Sequence, residues 1–420
     1  MANDLSSKID IFFEDVVAGF EAANISAKNC AQYKPQAGRL AEGGQTFYRP
    51  MPILTEVVDG RDVSSAYNDV TELTVPSTLT DSHIRNTPVS LTGADLNNPH
   101  IMNRMVQGAT VMLSNKLDVL VADCVATYGT LVVTSSTNID TYDEAAAADA
   151  LMLEQQVTKG QRMMMLNPRM AINLAGNLAS RGTMQGAPMD AYTRSMLPPI
   201  AGFDTFRTDY GKSITGTATT GDLIAGANQH YTPSAMSAGL PVDNRTQTIN
   251  VDNGAAGAHG LVAGDCFTIA GVYSVGHINK QSTGQLKTFR VISVPTSTSL
   301  EIAPPIIPAD GANQSQKDYA NVNTTPADNA AITALNTVTK PASVFFEKDA
   351  VEIIHADYNM EPFESTGKKV RKSTTDSGIQ IIMLSDSNID TLVAKYRLFI
   401  WANVEMLNYE MGGIMLEAQT

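Results

Sequence analysis

Cysteine is scarce in this 420-residue chain, which carries only Cys30, Cys124 and Cys266. The three make neither an even framework nor a CxxC pair, which excludes a disulfide scaffold and a thiolate zinc site and fits a reducing cytosol. Long apolar runs are also lacking. Stretches such as 379–384 fall far short of the ~20 residues that cross a bilayer, so no membrane span is expected. The N-terminus intersperses Asp4, Lys8 and Asp10 with its apolar positions and shows no secretory signal. Charge is sparse as well, at 17% of residues. Ordinary globular chains carry roughly 25%, so much of the polarity here comes from Asn, Gln, Ser and Thr. With 43% hydrophobic residues the chain has enough to bury and is not disordered. The balance of 29 basic and 43 acidic side chains, 29 − 43 = −14, disfavours broad binding to nucleic acid, because phosphates are repelled.

Motifs that carry chemistry are missing too. The six histidines, His83, His100, His230, His259, His277 and His355, are dispersed, and none stands four residues from another as a helical metal pair requires. Gly211, Lys212 and Ser213 resemble the end of a phosphate loop, but Phe206 occupies the position of its first glycine. Asp386, Asn388 and Asp390 alternate like calcium ligands, yet Thr391 replaces the turn glycine and Arg397 the bidentate glutamate. No nucleophile elbow or dinucleotide fingerprint appears. We therefore expect no catalytic residues, cofactor or metal. Lys368, Lys369, Arg371 and Lys372 form the one basic run, expected as a solvated hairpin tip.

What is present is a sequence of elements. Leu5, Ile9, Phe12, Phe13, Val16, Val17 and Phe20 recur at helical spacing and predict an amphipathic helix. Its stripe packs either on its own domain, the commoner outcome, or on a neighbour. Between Tyr33 and Leu96, short β-like pieces at 45–48 and 71–75 are punctuated by Pro, Gly and Asp, as in an extended hairpin. Asn98 and Pro99 then read as an N-cap and a first-turn proline. Met102, Val106, Ala109, Leu113, Leu117, Leu120 and Cys124 follow on one helical face. A helix from there to Tyr128 is about 45 Å long at 1.5 Å per residue. Gly108 inside it costs up to about 1 kcal/mol against alanine, compensated by close packing or by a bend.

Beyond it, a strand at 131–134, a capping box of Thr141 and Glu144 opening an Ala-rich helix, a strand at 162–166 and a helix from Asn167 and Pro168 predict an α/β unit. From about 216 to 340, β-rich pieces at 248–251, 266–269, 286–294 and 299–302 predict a small all-β barrel or sandwich. The α/β pattern resumes at 343–346 and 351–354, so the β unit reads as an insertion. Residues 396–407, around the sole tryptophan, Trp401, read as a long buried strand.

This order resembles the major capsid (coat) proteins of tailed phages with the Hong Kong 97 fold, in the version with an inserted domain typified by the coat protein of Salmonella phage P22. The stretches that carry the resemblance are 46–50, Asn167 with Pro168, Ala201 to Asp204, Gly264 with Asp265, Ala270 to Val272, YANVNT at 319–324, and 344–354. It implies an α+β fold with an N-terminal helical arm (1–34), an extended loop (35–95), a spine helix with part of a peripheral domain (96–141), and an axial domain (142–225). An inserted β-barrel (226–340), an axial return with peripheral strands (341–390) and C-terminal peripheral strands (391–420) complete it.

The function it implies is a structural subunit that self-assembles as pentamers and hexamers into an icosahedral shell around double-stranded DNA, without sequence-specific binding and without a membrane. Scaffolding protein and portal are the implied assembly partners. The implied location is the virion, after synthesis in the cytoplasm of the bacterial host. Arm and loop are expected to bury their apolar residues on neighbouring copies. Phe12, Phe13, Phe20, Arg61, Asp62, Asp243, Arg245 and Asp252 are the candidate inter-subunit contacts, and Gly108 is a candidate hinge in the spine helix. Two other readings compete: a secreted or surface carbohydrate- or receptor-binding protein using its Thr- and Asn-rich β loops, and a hydrolase with a β accessory domain.

Overall fold

The computed structural model describes residues 5–35, 45–54, 61–62, 67, 69–92, 95, 99–157, 160–180, 197–217, 221–253, 258–365, 368–388 and 393–419. Four long helices are labelled α1 (Leu5–Ala23), α2 (Pro99–Tyr128), α3 (Tyr142–Glu154) and α4 (Pro168–Ala179). The chain divides into two compact units. The first is Met1–Phe47, Ser77–Val121 and Val351–Glu405; the second is Tyr48–Pro76, Ala122–Ala350 and Met406–Thr420.

In the first unit one sheet runs in the order Ala31–Tyr33, Val351–His355, Val393–Met406, Gln380–Asn388, Lys369–Thr374, with Ile84–Thr92 also paired to Val393–Met406. Trp401 is buried in the long strand and donates its indole N–H to Thr80 O at 2.9 Å, which satisfies the only polar atom on a large apolar ring. Around it Phe47, Leu79, Ile354 and Ala356 form a small core. The basic run lies elsewhere than expected. Lys369, Arg371 and Lys372 belong to the strand Lys369–Thr374, paired with Gln380–Asn388, and the turn of that hairpin lies beyond them. An edge strand bearing lysines is protected against adding another strand, which is a use for charge that a hairpin tip does not have.

Two large sheets make up most of the second unit's described strands. The first has the order Leu131–Thr134, Gly412–Leu416, Ser343–Glu347, Arg162–Leu166, Phe203–Arg207, parallel at both ends and antiparallel in the middle. Strands 343–347 and 162–166 are buried throughout, as a continuous apolar run such as RMMML requires. Helices α3 and α4 cover the sheet through Ala145, Ala148, Met152, Met170, Ala171 and Leu174. Both starts follow the expected local chemistry. Thr141 accepts from Glu144 N while Glu144 reaches back to the Thr141 N–H, and Asn167 accepts from Met170 N at 2.9 Å ahead of Pro168.

The second sheet runs Ile332–Ala334, Cys266–Val275, Ser282–Thr296, Ser299–Ala303, Gln247–Asp252, Leu223–Ile224. Its end strands also meet. Ile224 N donates to Ala330 O at 3.0 Å, Asn329 N to Ile224 O at 2.9 Å, and Ile332 N to Asp222 O at 3.0 Å. Its interior holds Ile249, Val251, Phe267, Ile269, Phe289, Leu300 and Ile302. The chain reaches this sheet through Ser213–Ile214 and returns through Lys340–Pro341, and these two short strands pair antiparallel. Leu223–Ile224 already belongs to the sheet, ahead of the expected boundary at 226.

Candidate functional site

The residues singled out for contacts between subunits occupy different settings. In α1, Phe13 is 5% exposed and Val16 and Phe20 are fully buried within the chain. The helix lies close against α2, because a Cβ at Gly19 would stand 2.8 Å from the Thr110 side chain. Further along, Asp376 N donates to Glu21 Oε1 at 2.7 Å, and Asp118 of α2 accepts from both Ser26 N and Ser26 Oγ. The chain itself therefore covers Phe13 and Phe20. Of the two outcomes weighed for the stripe, these two positions take the commoner one, packing on their own domain. The side chain of Phe12 and the cap residue Asn98 lie outside the described residues.

Asp243 and Arg245 also meet inside the subunit. The guanidinium donates to both carboxylate oxygens of Asp243, with Nη2 to Oδ2 at 2.8 Å, and to Met406 O at 2.8 Å. It lies 4.9 Å above the Tyr409 ring, which in turn stacks on Tyr128 at 5.1 Å. Arg245 is thus used locally, whereas the Asp243 side chain keeps 35% of its surface in solvent. Arg61 and Asp62 are exposed, and Asp252 is half-buried at the end of its strand.

Helix α2 is continuous through Gly108, and a Cβ at that position would meet nothing within 4 Å. Close packing is therefore not what its missing side chain provides. One and two residues past the next turn, Val111 and Met112 are 57% and 66% exposed. Within the second unit, Ile53, Tyr67 and Val70 of the extended loop are exposed to 53%, 83% and 54%. Apolar residues lying off the buried stripe of α2 were a readable signal for the first pair, since they break an otherwise clean amphipathic pattern.

A buried ionic cluster was not foreseen. Lys287, 2% exposed in its side chain, pairs with Glu410 and donates to Gln155 Oε1 at 3.1 Å. Glu410 also accepts from Asn321 Nδ2 at 3.3 Å, and His277 Nε2 stands 3.5 Å from its other oxygen. Gln155 in turn donates to Ser274 Oγ. Burial alone would raise the Glu410 carboxyl, but Lys287, His277 and the hydrogen bonds from Lys287 and Asn321 outweigh it and hold the group below its ordinary value. Burial pushes the His277 imidazole down, against the pull of Glu410 and together with Lys287 and Lys280. Beside the cluster, a cavity of about 320 Å³ is lined by His277, Asn321 and Glu410 on one side and by Met51, Leu73 and Ile307 on another.

A second buried cation does similar work. Arg290 is completely buried and donates to Ala126 O at the C-terminal end of α2, with Gly129 O at 3.5 Å. The last carbonyls of a helix lack intrahelical partners and carry its negative pole, so a guanidinium is the natural cap. Among the described residues no cluster of three or more His, Cys, Asp or Glu is placed to hold a metal ion. Asp386 lies on a strand and pairs with Lys368 instead, and Asp390 is outside the described residues. Among the described residues no helix is long and apolar enough to cross a membrane.

Comparison with known proteins gives the class of this chain: a family model for a phage coat protein matches residues 1–417. The chain belongs to that family, described as P22 coat protein, gene protein 5. It is also similar to solved structures. The CUS-3 coat protein I-domain shares 42% identity over 28% of this chain and 98% of its own, with a TM-score of 0.24. A structure from Mycobacterium phage Che8 shares 10% identity over 93% of this chain and 90% of its own, at a TM-score of 0.44. The mature capsid of bacteriophage PhiM1 shares 7% over 94% and 87%, at 0.43. The role of the protein is structural, in a phage capsid. That assignment displaces the carbohydrate-binding and hydrolase readings.

Proposed function

We propose that the chain is the building block of an icosahedral phage shell, assembled as pentamers and hexamers with the Hong Kong 97 architecture and enclosing double-stranded DNA. The observation that carries this reading is the family match along essentially the whole chain, residues 1–417. The arm (1–34), extended loop (35–95), spine helix (96–141), axial domain (142–225 and the return from 341 to 390) and C-terminal strands (391–420) take their positions in that architecture. The inserted domain (226–340, with the strand Leu223–Ile224 added) is a small β-barrel. The meeting of its end strands at Ile224 and Ala330 supports closure.

Contacts between copies are carried by groups that reach solvent: the exposed Arg61 and Asp62 and the half-buried Asp243 and Asp252 among the charged ones, and the exposed Ile53, Tyr67, Val70, Val111 and Met112 among the apolar ones. Each contact is small, and ring closure followed by shell closure multiplies them. Scaffolding protein and portal guide assembly in the cytoplasm of a bacterial host. A subunit of net charge −14 leaves packaged DNA free to move, because few cations are available for counterion release. Sedimentation and negative-stain microscopy of the expressed protein, alone and with its scaffolding partner, test the reading. Closed particles with five- and sixfold clusters are expected; only small soluble species under every condition would refute it.

A further inference from the structure

The strand pair Cys266–Val275 and Ser282–Thr296 meets the α/β layer through polar groups that have no alternative partners on their own side. Among the described residues the ammonium of Lys287 reaches acceptors of the other layer alone, Gln155 Oε1 and Glu410. Glu410 is held by Lys287, Asn321 and the nearby His277, all from the β side. The turn after the first strand completes the junction: Ile278 N and Asn279 N both donate to Gln156 Oε1 at 2.8 Å, and His277 N approaches Gln155 O at 3.5 Å. Gln156 adopts a left-handed conformation, φ 59°, at the end of α3 to receive them. Buried in this way, the Nε2 atom of His277 makes no hydrogen bond and points at a carboxylate 3.5 Å away. The cavity of about 320 Å³ leaves one side of His277 and Glu410 unpacked by protein.

We propose that the Lys287–Glu410–His277 cluster is an acid-released latch that fastens this β unit to the α/β layer. The charged groups facing His277 are Glu410 from the turn at Tyr409–Met411, Lys287 from the neighbouring strand and Lys280 from its own loop, with Asp318 acting on Lys280. With the latch closed, His277 and Glu410 both titrate below their ordinary values. Opening returns them to water, where their ordinary values are 6.5 and 4.5, so the open form takes up a proton on His277 as pH falls below 6.5 and another on Glu410 below 4.5. Closure is therefore complete above pH 6.5 and is lost as acid is added. Lys280, brought down to about 8 by burial, is protonated in both forms below pH 6.5 and adds only a small slope of the same sign near pH 7.5.

The amides of 277–279 report the latch directly, because their partners lie across it. Hydrogen–deuterium exchange of the full-length soluble subunit, corrected for intrinsic rates, is measured between pH 7.5 and 5.0. A peptide covering 276–281 is compared with peptides covering 162–166 and 266–269. A rise of about ten- to thirtyfold in opening of 276–281 is expected, equivalent to one proton taken up, while the two strand peptides hold constant. His277→Asn should remove most of that rise with little change at pH 7.5, and Glu410→Gln should raise opening at every pH. Corrected exchange that is flat with pH, strand peptides that rise in parallel, or a His277→Asn protein keeping the wild-type slope would each overturn the proposal.

Discussion

Gly413 shows how much a single residue can decide. A Cβ there would lie 2.0 Å from the Leu131 carbonyl oxygen, so the parallel pairing of Gly412–Leu416 with Leu131–Thr134 exists only because the side chain is absent. Gly413→Ala forces backbone apart from backbone rather than moving a flexible tip. A loss of about 3 kcal/mol or more is expected from urea denaturation, above the usual overpacking cost. His355 makes a different kind of demand. It is buried, and that burial, aided by Lys34 and opposed by Asp357, lowers its imidazole from 6.5 to about 4. The folded state favours the neutral ring, so its contribution is intact above pH 6.5 and disappears as pH falls toward 4. About 3 kcal/mol should be lost between pH 7 and 4 on this account. The His355→Gln protein should lose correspondingly less over the same range, which separates this ring from the carboxylates that titrate beside it. Neither residue was legible beforehand. A glycine in a strand and a lone histidine acquire their meaning mainly from groups distant in the chain, Leu131 for Gly413 and Lys34 for His355, whereas the Thr141–Glu144 and Asn167–Pro168 caps are local and could be read directly.

At the scale of elements, the long helix α2 was the most legible feature, because an apolar stripe sustained over thirty residues leaves few alternatives. The choice between packing and bending at Gly108 was not, since it depends on what lies opposite. Open space there means that Gly108→Ala meets no obstacle, and it should stabilise the isolated subunit by about 1 kcal/mol, seen as a higher unfolding midpoint. If Gly108 serves as the hinge that lets one chain fit two ring sizes, the same substitution lowers the yield of closed particles. Unchanged yield together with the higher midpoint would remove the hinge. Two residues off the stripe make a complementary case. Replacing Val111 and Met112 by Asp changes exposed positions, so folding should be affected by no more than about 0.5 kcal/mol while assembly falls sharply. Sedimentation profiles that match the wild type would show that this patch faces no neighbour. Helix α1 shows the limit of such reading: its aromatic stripe left its own domain and a neighbour both open, because periodicity reveals that a face is buried without revealing by which chain.

For the molecule as a whole, the succession of pieces along the chain was visible because composition changes abruptly near 216 and again near 340. What the pattern could not supply was the seam. Thr217 donates to Asp265 Oδ1 at 2.7 Å, Asn336 donates to the same oxygen at 2.9 Å, and Thr217 N donates to Asn336 O at 2.8 Å. These are long-range partners with no sequence signature. A fragment spanning 213–341 should accordingly melt cooperatively and at a higher temperature than one spanning 226–340, which loses both Thr217 and the strand Leu223–Ile224. Equal melting temperatures by circular dichroism would place the true edge of the folding unit inside 226. The side-by-side pairing of Ser213–Ile214 with Lys340–Pro341 has one more consequence. Adjacent paired strands are about 5 Å apart, so the host chain could be rejoined there by a tight turn, or carry any foreign module whose two ends emerge together. Such an exchange would need new partners for the host groups that this unit now satisfies, among them Glu410, Gln155, Gln156 and the final carbonyls of α2. The paired strands through which the chain enters and leaves this β unit are thus also a natural port for grafting another.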